Sequence, residues 1–234
     1  MEDEVSKHTK KIFETAKDTK HTFTEKVKEI AVEIFIIVFA ITLSIWLHNW
    51  SEHKQQQTEV NEFLVDLKED LKNDIDSLQS TKDALFKNTE EALYLSQLTK
   101  QKLDSIISVK GKVGFQSTVG TSKINNGNFE GFKSSGKIGF IENKELKKHI
   151  LKYYQESTPS VLEIEKINAA EIMKISDYWV DNADQSFKKK ILNPKLKLML
   201  VIFNSTAKSS LVLYQDAITE AKQIVKGIDS LNIK

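Results

Sequence analysis

Residues 30–60 read IAVEIFIIVFAITLSIWLHNWSEHKQQQTEV, an apolar run that passes into polar sequence without a glycine or a proline. From Ile30 to Leu47 there are 18 residues with one charged side chain, Glu33. At about 1.5 Å per residue, a helix of this length spans roughly 27 Å, close to the ~30 Å hydrocarbon core of a bilayer. The pattern therefore predicts a transmembrane helix over residues 30–50 that continues as a helix beyond the membrane.

Two tryptophans near the polar end of this run favour the membrane interpretation. Trp46 and Trp50 lie one helical turn apart, and amphipathic rings prefer the headgroup level of a bilayer. The alternative is a buried helix of a soluble bundle, which usually is shorter and alternates apolar with polar residues. A cleaved signal peptide fits poorly, because the run is long and no small-x-small cleavage site follows it.

Lysines are distributed unequally around the run. Residues 10–29 contain six lysines, whereas residues 48–67 contain only Lys54. The positive-inside rule then places residues 1–29 in the cytoplasm and residues 51–234 on the other side of the membrane.

The charged N-terminal segment carries apolar residues at helical spacing. It is either an amphipathic segment that lies on the membrane or pairs with another helix, or a frayed tail. Inside the run, Glu33, Ala40 and Ser44 share a face whose small residues would let another helix approach. Glu33 therefore either reaches the headgroups at the cytoplasmic edge or contacts a partner within the membrane.

Composition argues against several classes of function. All 34 basic residues are lysines, so the forked arginine donor used for phosphate and base recognition is absent. With a net charge of +1, the chain has no global field that would attract nucleic acid, and we predict no nucleic-acid partner. The absence of cysteine excludes disulfides, thiolate metal sites and cysteine nucleophiles.

The outer region, residues 51–234, is predicted to be all-α. An apolar stripe at helical spacing runs from Val60 to Leu85 and predicts a helix over residues 51 to about 107, with a break near Ser80 where a capping-box pattern begins. Seven of the eight glycines fall between residues 111 and 139. They predict one irregular insertion over residues 108–142, either a packed loop or a short hairpin.

Three further helices are predicted after the insertion. Asn143 is a suitable N-cap for a helix over residues 144–156, and Thr158-Pro159 predicts the start of the next, which runs to about Leu192. Asn193-Pro194 repeats the cap-and-proline signal before a last helix with a regular apolar stripe. Helices with such stripes bury them against one another, so we predict an antiparallel bundle.

The sequence offers little evidence of enzyme chemistry. It contains no Gly-x-Ser-x-Gly motif, phosphate-binding loop or dinucleotide fingerprint, and we predict no cofactor and no catalytic residue. Glu145 and His149 lie one helical turn apart, but a metal site needs three convergent ligands, so we predict none.

Two groups of residues are candidates for contact with a partner or a membrane. Phe129, Phe132, Tyr153 and Tyr154 lie in or after the glycine-rich segment, where aromatics act either as plugs of a loop core or as interface anchors. No acidic residue occurs between Asp184 and Asp216. The lysines of this interval lie among apolar residues, in water or on anionic headgroups. The lysines predicted to contact headgroups are Lys188, Lys189, Lys190, Lys195 and Lys197.

Three stretches resemble an uncharacterised family of small single-pass membrane proteins common in Bacteroidota. They are LHNWSEHK at 47–54, FLVDLKEDLKNDIDSL at 63–78 and FEGFKSSGKIGFIENKELKKHILKYYQ at 129–155. The resemblance implies an inner-membrane protein with a helical, periplasmic outer domain, and it implies no chemistry. We therefore predict a non-enzymatic, membrane-anchored interaction or assembly protein that binds an envelope protein or copies of itself. The alternative is a ligand-sensing module that signals through its single membrane helix.

Overall fold

A computed structural model describes residues 2–17, 23–110 and 120–232. Over these ranges the regular structure is helical and contains no strand, which confirms the predicted all-α class. The α-helices are α1 (Glu2–Lys17), α2 (Phe23–Ser96), α3 (Lys100–Lys110), α4 (Gly127–Ser134), α5 (Lys144–Lys152), α6 (Thr158–Asp181), α7 (Phe187–Ile191) and α8 (Pro194–Ser230). A 3₁₀ turn covers Lys137–Phe140 and a π-helical turn covers Tyr153–Ser157.

The chain divides into two compact units, Met1–Glu59 and Val60–Lys234. The first contains α1 and the apolar part of α2, whose large apolar side chains are exposed from Val32 to Trp50. The second contains the hydrophobic core, which begins at Val60 and ends at Ile228. The sequence had placed this boundary at residue 51, one polar stretch earlier.

Helix α2 confirms that the apolar run continues into polar sequence without ending. Within the second unit its predicted stripe is buried, because leucines at three-to-four spacing face the other helices. The predicted break near Ser80 is wrong, since Leu78 and Leu85 keep the stripe unbroken and the Thr81 hydroxyl donates to the Ser77 carbonyl at 3.0 Å. The helix ends instead at Ser96, before the turn that leads to α3.

The predicted caps at the two asparagines are confirmed. The Asn143 side chain accepts a hydrogen bond from the Leu146 amide at 3.0 Å and begins α5. The Asn193 side chain accepts from the Lys195 amide at 2.8 Å, and Pro194 occupies the first turn of α8. Both signals are local, so they act without help from the rest of the fold.

The helix predicted to begin at Thr158-Pro159 is confirmed, since α6 begins at Thr158 with Pro159 in its first turn, but the predicted cap is wrong. The backbone stays helical through Ser157 and Thr158, and no side chain caps this point. A π-helical turn over Tyr153–Ser157 joins α5 to α6 instead. Pro159 has no amide to donate, and the Thr158 amide before it donates to the Tyr153 carbonyl five residues back, which is the hydrogen bond of a π turn.

Helix α6 is also shorter than predicted. It ends at Asp181 rather than near Leu192, and the separate helix α7 follows, capped by the Ser186 hydroxyl, which accepts from the Lys189 amide at 3.3 Å. Ala183 therefore lies exposed in the connection between the two helices.

Contacts within the second unit pair α8 with α2 and α6 in opposite order along the sequence. The pairs are Lys68 with Asp229, Lys82 with Gln215, Thr89 with Asn204, Glu165 with Tyr214, and Asn168 with Ser210. The residue numbers on α8 decrease as those on α2 or α6 increase, which is the order of an antiparallel pair.

The predicted irregular insertion contains more structure than a loop. Residues 120–126 are irregular, but α4 and the 3₁₀ turn follow, and Gly136 has the left-handed φ of 76° that ends α4. Of the two alternatives for residues 108–142, the described part forms neither a hairpin nor a simple loop. Residues 111–119 lie outside the described residues.

Candidate interaction sites

The four aromatic residues proposed as partner contacts lie inside the bundle. Phe129 and Phe132 are the buried residues of α4. The Phe129 ring stacks on Tyr154 with centroids 4.4 Å apart, and Phe132 stacks on Phe63 of α2 at 3.9 Å. Tyr153 is also fully buried. The structure therefore places these side chains in the core rather than on a contact surface, because α4 gives the glycine-rich segment an apolar face of its own.

A buried carboxylate anchors the same segment. One oxygen of Asp74 accepts from the backbone amide of Asn125 at 2.8 Å and from its side-chain amide at 3.0 Å. The other accepts from the Tyr153 hydroxyl at 3.0 Å. The Tyr154 hydroxyl donates to the Asn125 carbonyl at 3.2 Å. Asp74 thus holds the entry to α4 and the π turn together.

Burial raises the pKa of Asp74 to about 6, and the three hydrogen bonds it accepts oppose this rise. Burial also raises the pKa of Tyr153, and the neighbouring carboxylate adds to the effect. Tyr153 is therefore a permanent donor. Asp74 changes charge in the mildly acidic range, so this contact between α2 and the insertion is sensitive to pH.

A second buried carboxylate, Glu165 of α6, joins three parts of the chain. One of its oxygens accepts from the Tyr214 hydroxyl of α8 at 2.7 Å and from the Ser122 amide at 2.9 Å. One turn further along, the Asn168 amide donates to the Ser210 hydroxyl at 2.9 Å. These contacts fix the register of α6 on α8.

A third buried carboxylate, Glu220 of α8, is paired with two basic side chains of α5. His149 Nδ1 lies 2.5 Å and Lys152 Nζ lies 2.6 Å from its two oxygens. Burial pushes the pKa of Glu220 upward, but the hydrogen bonds from Lys152 and His149 outweigh burial and hold this pKa below its usual value. His149 therefore serves this ion pair, and Glu145 is not its partner.

In the first unit, the one carboxylate of the apolar run is also paired. Glu33 is buried and contacts His8 and Lys11 of α1, with Lys11 Nζ 2.7 Å from the nearer oxygen. Ala40 and Ser44, on the same face, are half-buried. Of the alternatives for the N-terminal segment, helix pairing is the one that this arrangement describes. Trp46 and Trp50 are exposed, with Lys54 5.7 Å from the Trp50 ring.

The five lysines proposed to contact headgroups have different surroundings. Lys188 pairs with Asp104, and Lys190 lies 5.1 Å from the centre of the Trp179 ring. Lys197 donates to the Leu98 carbonyl at 2.6 Å. Lys189 and Lys195 are exposed. Three of the five thus tie α7 and α8 to their neighbours.

The described residues contain no group of three or more His, Asp or Glu side chains arranged to hold a metal ion. The three buried carboxylates were missed by the sequence analysis, although each left a signal. Asp74, Glu165 and Glu220 occupy positions where the apolar stripe of their helix would continue. A carboxylate at such a position is expected to be buried and to need partners inside the fold.

Two helices of the described chain are long and apolar enough to cross a membrane, Val27–Ser96 and Pro194–Ser230. The first is almost wholly exposed along its apolar part, whereas a third of the corresponding part of the second is buried in the bundle. The structure therefore defines an all-α protein with an exposed apolar helix near its N-terminus and a helical unit with buried polar anchors. The chain belongs to a family of unknown function, DUF6090, whose model matches residues 33–177.

Comparison with curated proteins gives two weak likenesses. The chain is 26% identical over 151 residues to uroporphyrinogen decarboxylase from Rickettsia rickettsii strain Sheila Smith, and equally to that from strain Iowa. The aligned part covers 61% of this chain and 43% of each relative, so the chain spans less than half of their length. No solved structure matches the chain.

Proposed function

We propose that this protein is a non-enzymatic, membrane-anchored interaction or assembly protein of the cell envelope. Residues 30–50 form its single membrane span, and the helical unit that begins at Val60 binds its partner. The observation that carries the proposal is the exposed apolar surface of α2. Large apolar side chains from Val32 to Trp50 are exposed over a length that matches a bilayer. Contact of such a surface with water is unfavourable.

The paired Glu33 supports an anchor of this kind. A lone carboxylate in a bilayer is costly, and pairing with two basic side chains lowers that cost. The excess of lysine before the span favours a cytoplasmic N-terminus and an inner-membrane location with the helical unit in the periplasm. An origin in Bacteroidota, which the sequence resemblance suggests, agrees with such an envelope.

The polar interior of the helical unit favours binding over catalysis. Asp74, Glu165 and Glu220 each accept hydrogen bonds from two or more donors within the fold. Carboxylates used in this way hold helices in register, whereas a catalytic acid or base must reach a substrate.

Topology is the first test of the proposal. We expect a reporter fused after residue 20 to be active in the cytoplasm and one fused after residue 234 to be active in the periplasm. A cytoplasmic signal from the C-terminal fusion would refute the proposal. A control variant with the lysines of residues 10–29 changed to glutamine should weaken the orientation, because those charges set it.

Capture of the partner is the second test. Crosslinking in intact cells followed by mass spectrometry should link the helical unit to a defined envelope protein or to another copy of itself. A small molecule retained by the purified chain, with no protein crosslinked, would instead favour the ligand-sensing alternative.

A further inference from the structure

One face of α8 is apolar and uncovered, although the opposite side of the helix is packed into the bundle. Leu198 is 60% exposed, Val201 50%, Ile202 44% and Val212 60%. Leu198, Val201 and Ile202 lie within about one turn, and Val212 falls on the same side about three turns further on, so they lie along one stripe of the helix. The opposite side of α8 supplies buried residues such as Phe203 and Tyr214 to the core. We call this uncovered stripe, with its exposed neighbours from Lys195 to Asp216, the α8 face.

The middle of the α8 face contains two small residues, with the exposed Lys208 at its edge. Ser205 and Ser209 are exposed between the apolar pairs, one helical turn apart. The Ser209 hydroxyl donates to the Ser205 carbonyl of its own helix at 3.3 Å, so this hydroxyl needs no outside acceptor. Small side chains at the centre of a helix face let a second helix approach closely.

The two ends of the face carry opposite charges. Lys195 is exposed at the start of α8, and no acidic residue lies between it and Asp216. Asp216 is exposed at the other end, where it lines a shallow groove together with Glu156. Lys152 in that groove is already committed to Glu220 at 2.6 Å. The face is therefore basic at its N-terminal end and acidic at its C-terminal end.

A face that is basic at one end and acidic at the other is complementary to a second copy of itself that runs in the opposite direction. If two copies cross antiparallel at Ser205, paired residue numbers add up to about 410. Leu198 then meets Val212, Val201 meets Ser209, and Lys195 comes opposite Asp216. Leu198 and Val201 thus meet apolar or small partners, and Ile202 comes opposite Lys208, whose apolar stem is available to it. The pair of Lys195 with Asp216 occurs twice, once at each end of the contact.

We propose that the α8 face binds the same face of a second copy of this chain, antiparallel, with the two-fold axis at Ser205. This inference rests on the proposed function and names the partner. Lys195 and Asp216 are 21 positions apart, about 32 Å along the helix, and cannot pair within one chain. An anionic lipid surface would attract the Lys195 end but repel the Asp216 end, so a lipid fits the face less well.

The register is tested with single cysteines, because the chain has none of its own. We expect full-length Ser205→Cys in membranes to form a disulfide-linked dimer on mild oxidation, because the two copies of a residue meet only near the axis. The matched control is Gln223→Cys, exposed on the same stripe 18 positions further on. Its two copies lie about 54 Å apart in the proposed pair and should not crosslink. Crosslinking at both positions, or at neither, would overturn the proposal, and the latter is the result expected of a lipid-facing stripe.

Charge reversal then tests the antiparallel pairing in the Ser205→Cys background. Lys195→Glu and Asp216→Lys should each reduce the crosslinked fraction severalfold, and the double variant should restore it. Lys222→Glu, the same charge change at an exposed site off the face, should have no effect. Recovery in the double variant requires two chains, since the residues are too far apart within one. A double variant that stays as weak as the single ones would overturn the proposal.

Failure here is distinguishable from failure of the proposed function. Loss of the Ser205 crosslink, with the C-terminal reporter still periplasmic, removes self-association and leaves an envelope partner. A cytoplasmic C-terminal reporter refutes the proposed function whatever the crosslink shows.

Discussion

At the scale of single residues, the bundle is held in register by charges placed on apolar stripes. Leu71, Asp74 and Leu78 follow one another on the buried side of α2, and the carboxylate is fully buried. Burying an unpaired charge is costly, so the position is stable only because Asn125 and Tyr153 supply three donors. A leucine there would pack but could not hold the segment before α4. The charge specifies where that segment docks.

The first residue-scale prediction concerns pH. The pKa of Asp74 is about 6 in the fold against 3.8 in an unfolded chain, so the folded state binds the proton more tightly. The stabilising contribution of the protonated form is complete below pH 3.8 and is lost as pH rises through 6. At ~1.4 kcal/mol per pH unit, the loss is at most about 3 kcal/mol.

We therefore expect Asp74→Asn, which cannot ionise, to gain stability relative to the natural chain as pH rises from 4 to 7.5. Urea unfolding of the full-length chain in mild detergent, followed by circular dichroism, measures the difference. Asp76→Asn, two positions away and exposed, is the control and should follow the natural chain at every pH. A constant difference between Asp74→Asn and the natural chain would contradict the assignment.

At the scale of elements, what the sequence predicts correctly is what is local. The caps at Asn143 and at Asn193-Pro194 depend only on adjacent residues, and both caps form. The leucine stripe of α2 needs only its own period. The π turn before Pro159 is different, because it places Tyr153 on Asp74, 79 positions away. No local pattern contains that information, so the sequence predicted an ordinary helix start.

The candidate contact residues show the same division. Phe129 and Phe132 stand three residues apart among glycines, a spacing that fits one helical face as well as a loop. The sequence left the choice between core plugs and interface anchors open. The structure resolves it through Phe63 and Tyr154, whose rings stack on them from distant parts of the chain. The sequence does not predict the α8 face, because an exposed apolar stripe and a buried one have the same residue pattern.

The element-scale prediction follows from this burial. Phe129→Ser removes a fully buried ring from α4 and should lower the free energy of unfolding by about 3–5 kcal/mol, the usual cost of truncating a buried phenylalanine. For a chain of this size that is a fall in melting temperature on the order of 10 °C. The matched control is Phe86→Ser on α2, where the ring is 52% exposed. It should lose less than about 1 kcal/mol. Equal melting of Phe129→Ser and the natural chain would return Phe129 to the class of contact residues.

At the scale of the whole molecule, the two units differ in whether their apolar side chains are buried or exposed. All buried apolar residues of the core belong to the unit that begins at Val60. Among the described side chains of the first unit, Glu33 is the one buried polar residue, within an otherwise exposed apolar surface. The polar residues SEHKQQQTE over 51–59 end the first unit and contribute nothing to the core. Helix α2 therefore carries an exposed apolar surface in the first unit and a buried apolar stripe in the second.

The last prediction follows from this difference between the two units. A fragment of residues 60–234 should be soluble without detergent, helical and cooperative in melting, because it contains the complete core. A fragment of residues 51–234, which starts at the boundary predicted from sequence, should melt within a few degrees of it, since residues 51–59 bury no core side chain. The full-length chain should require detergent or lipid, because its apolar side chains from Val32 to Trp50 have no cover. Circular dichroism melts of the two fragments, with sedimentation of all three chains in detergent-free buffer, measure these differences. Aggregation of the 60–234 fragment beside a well-behaved full-length chain would show that the bundle needs the first unit to fold.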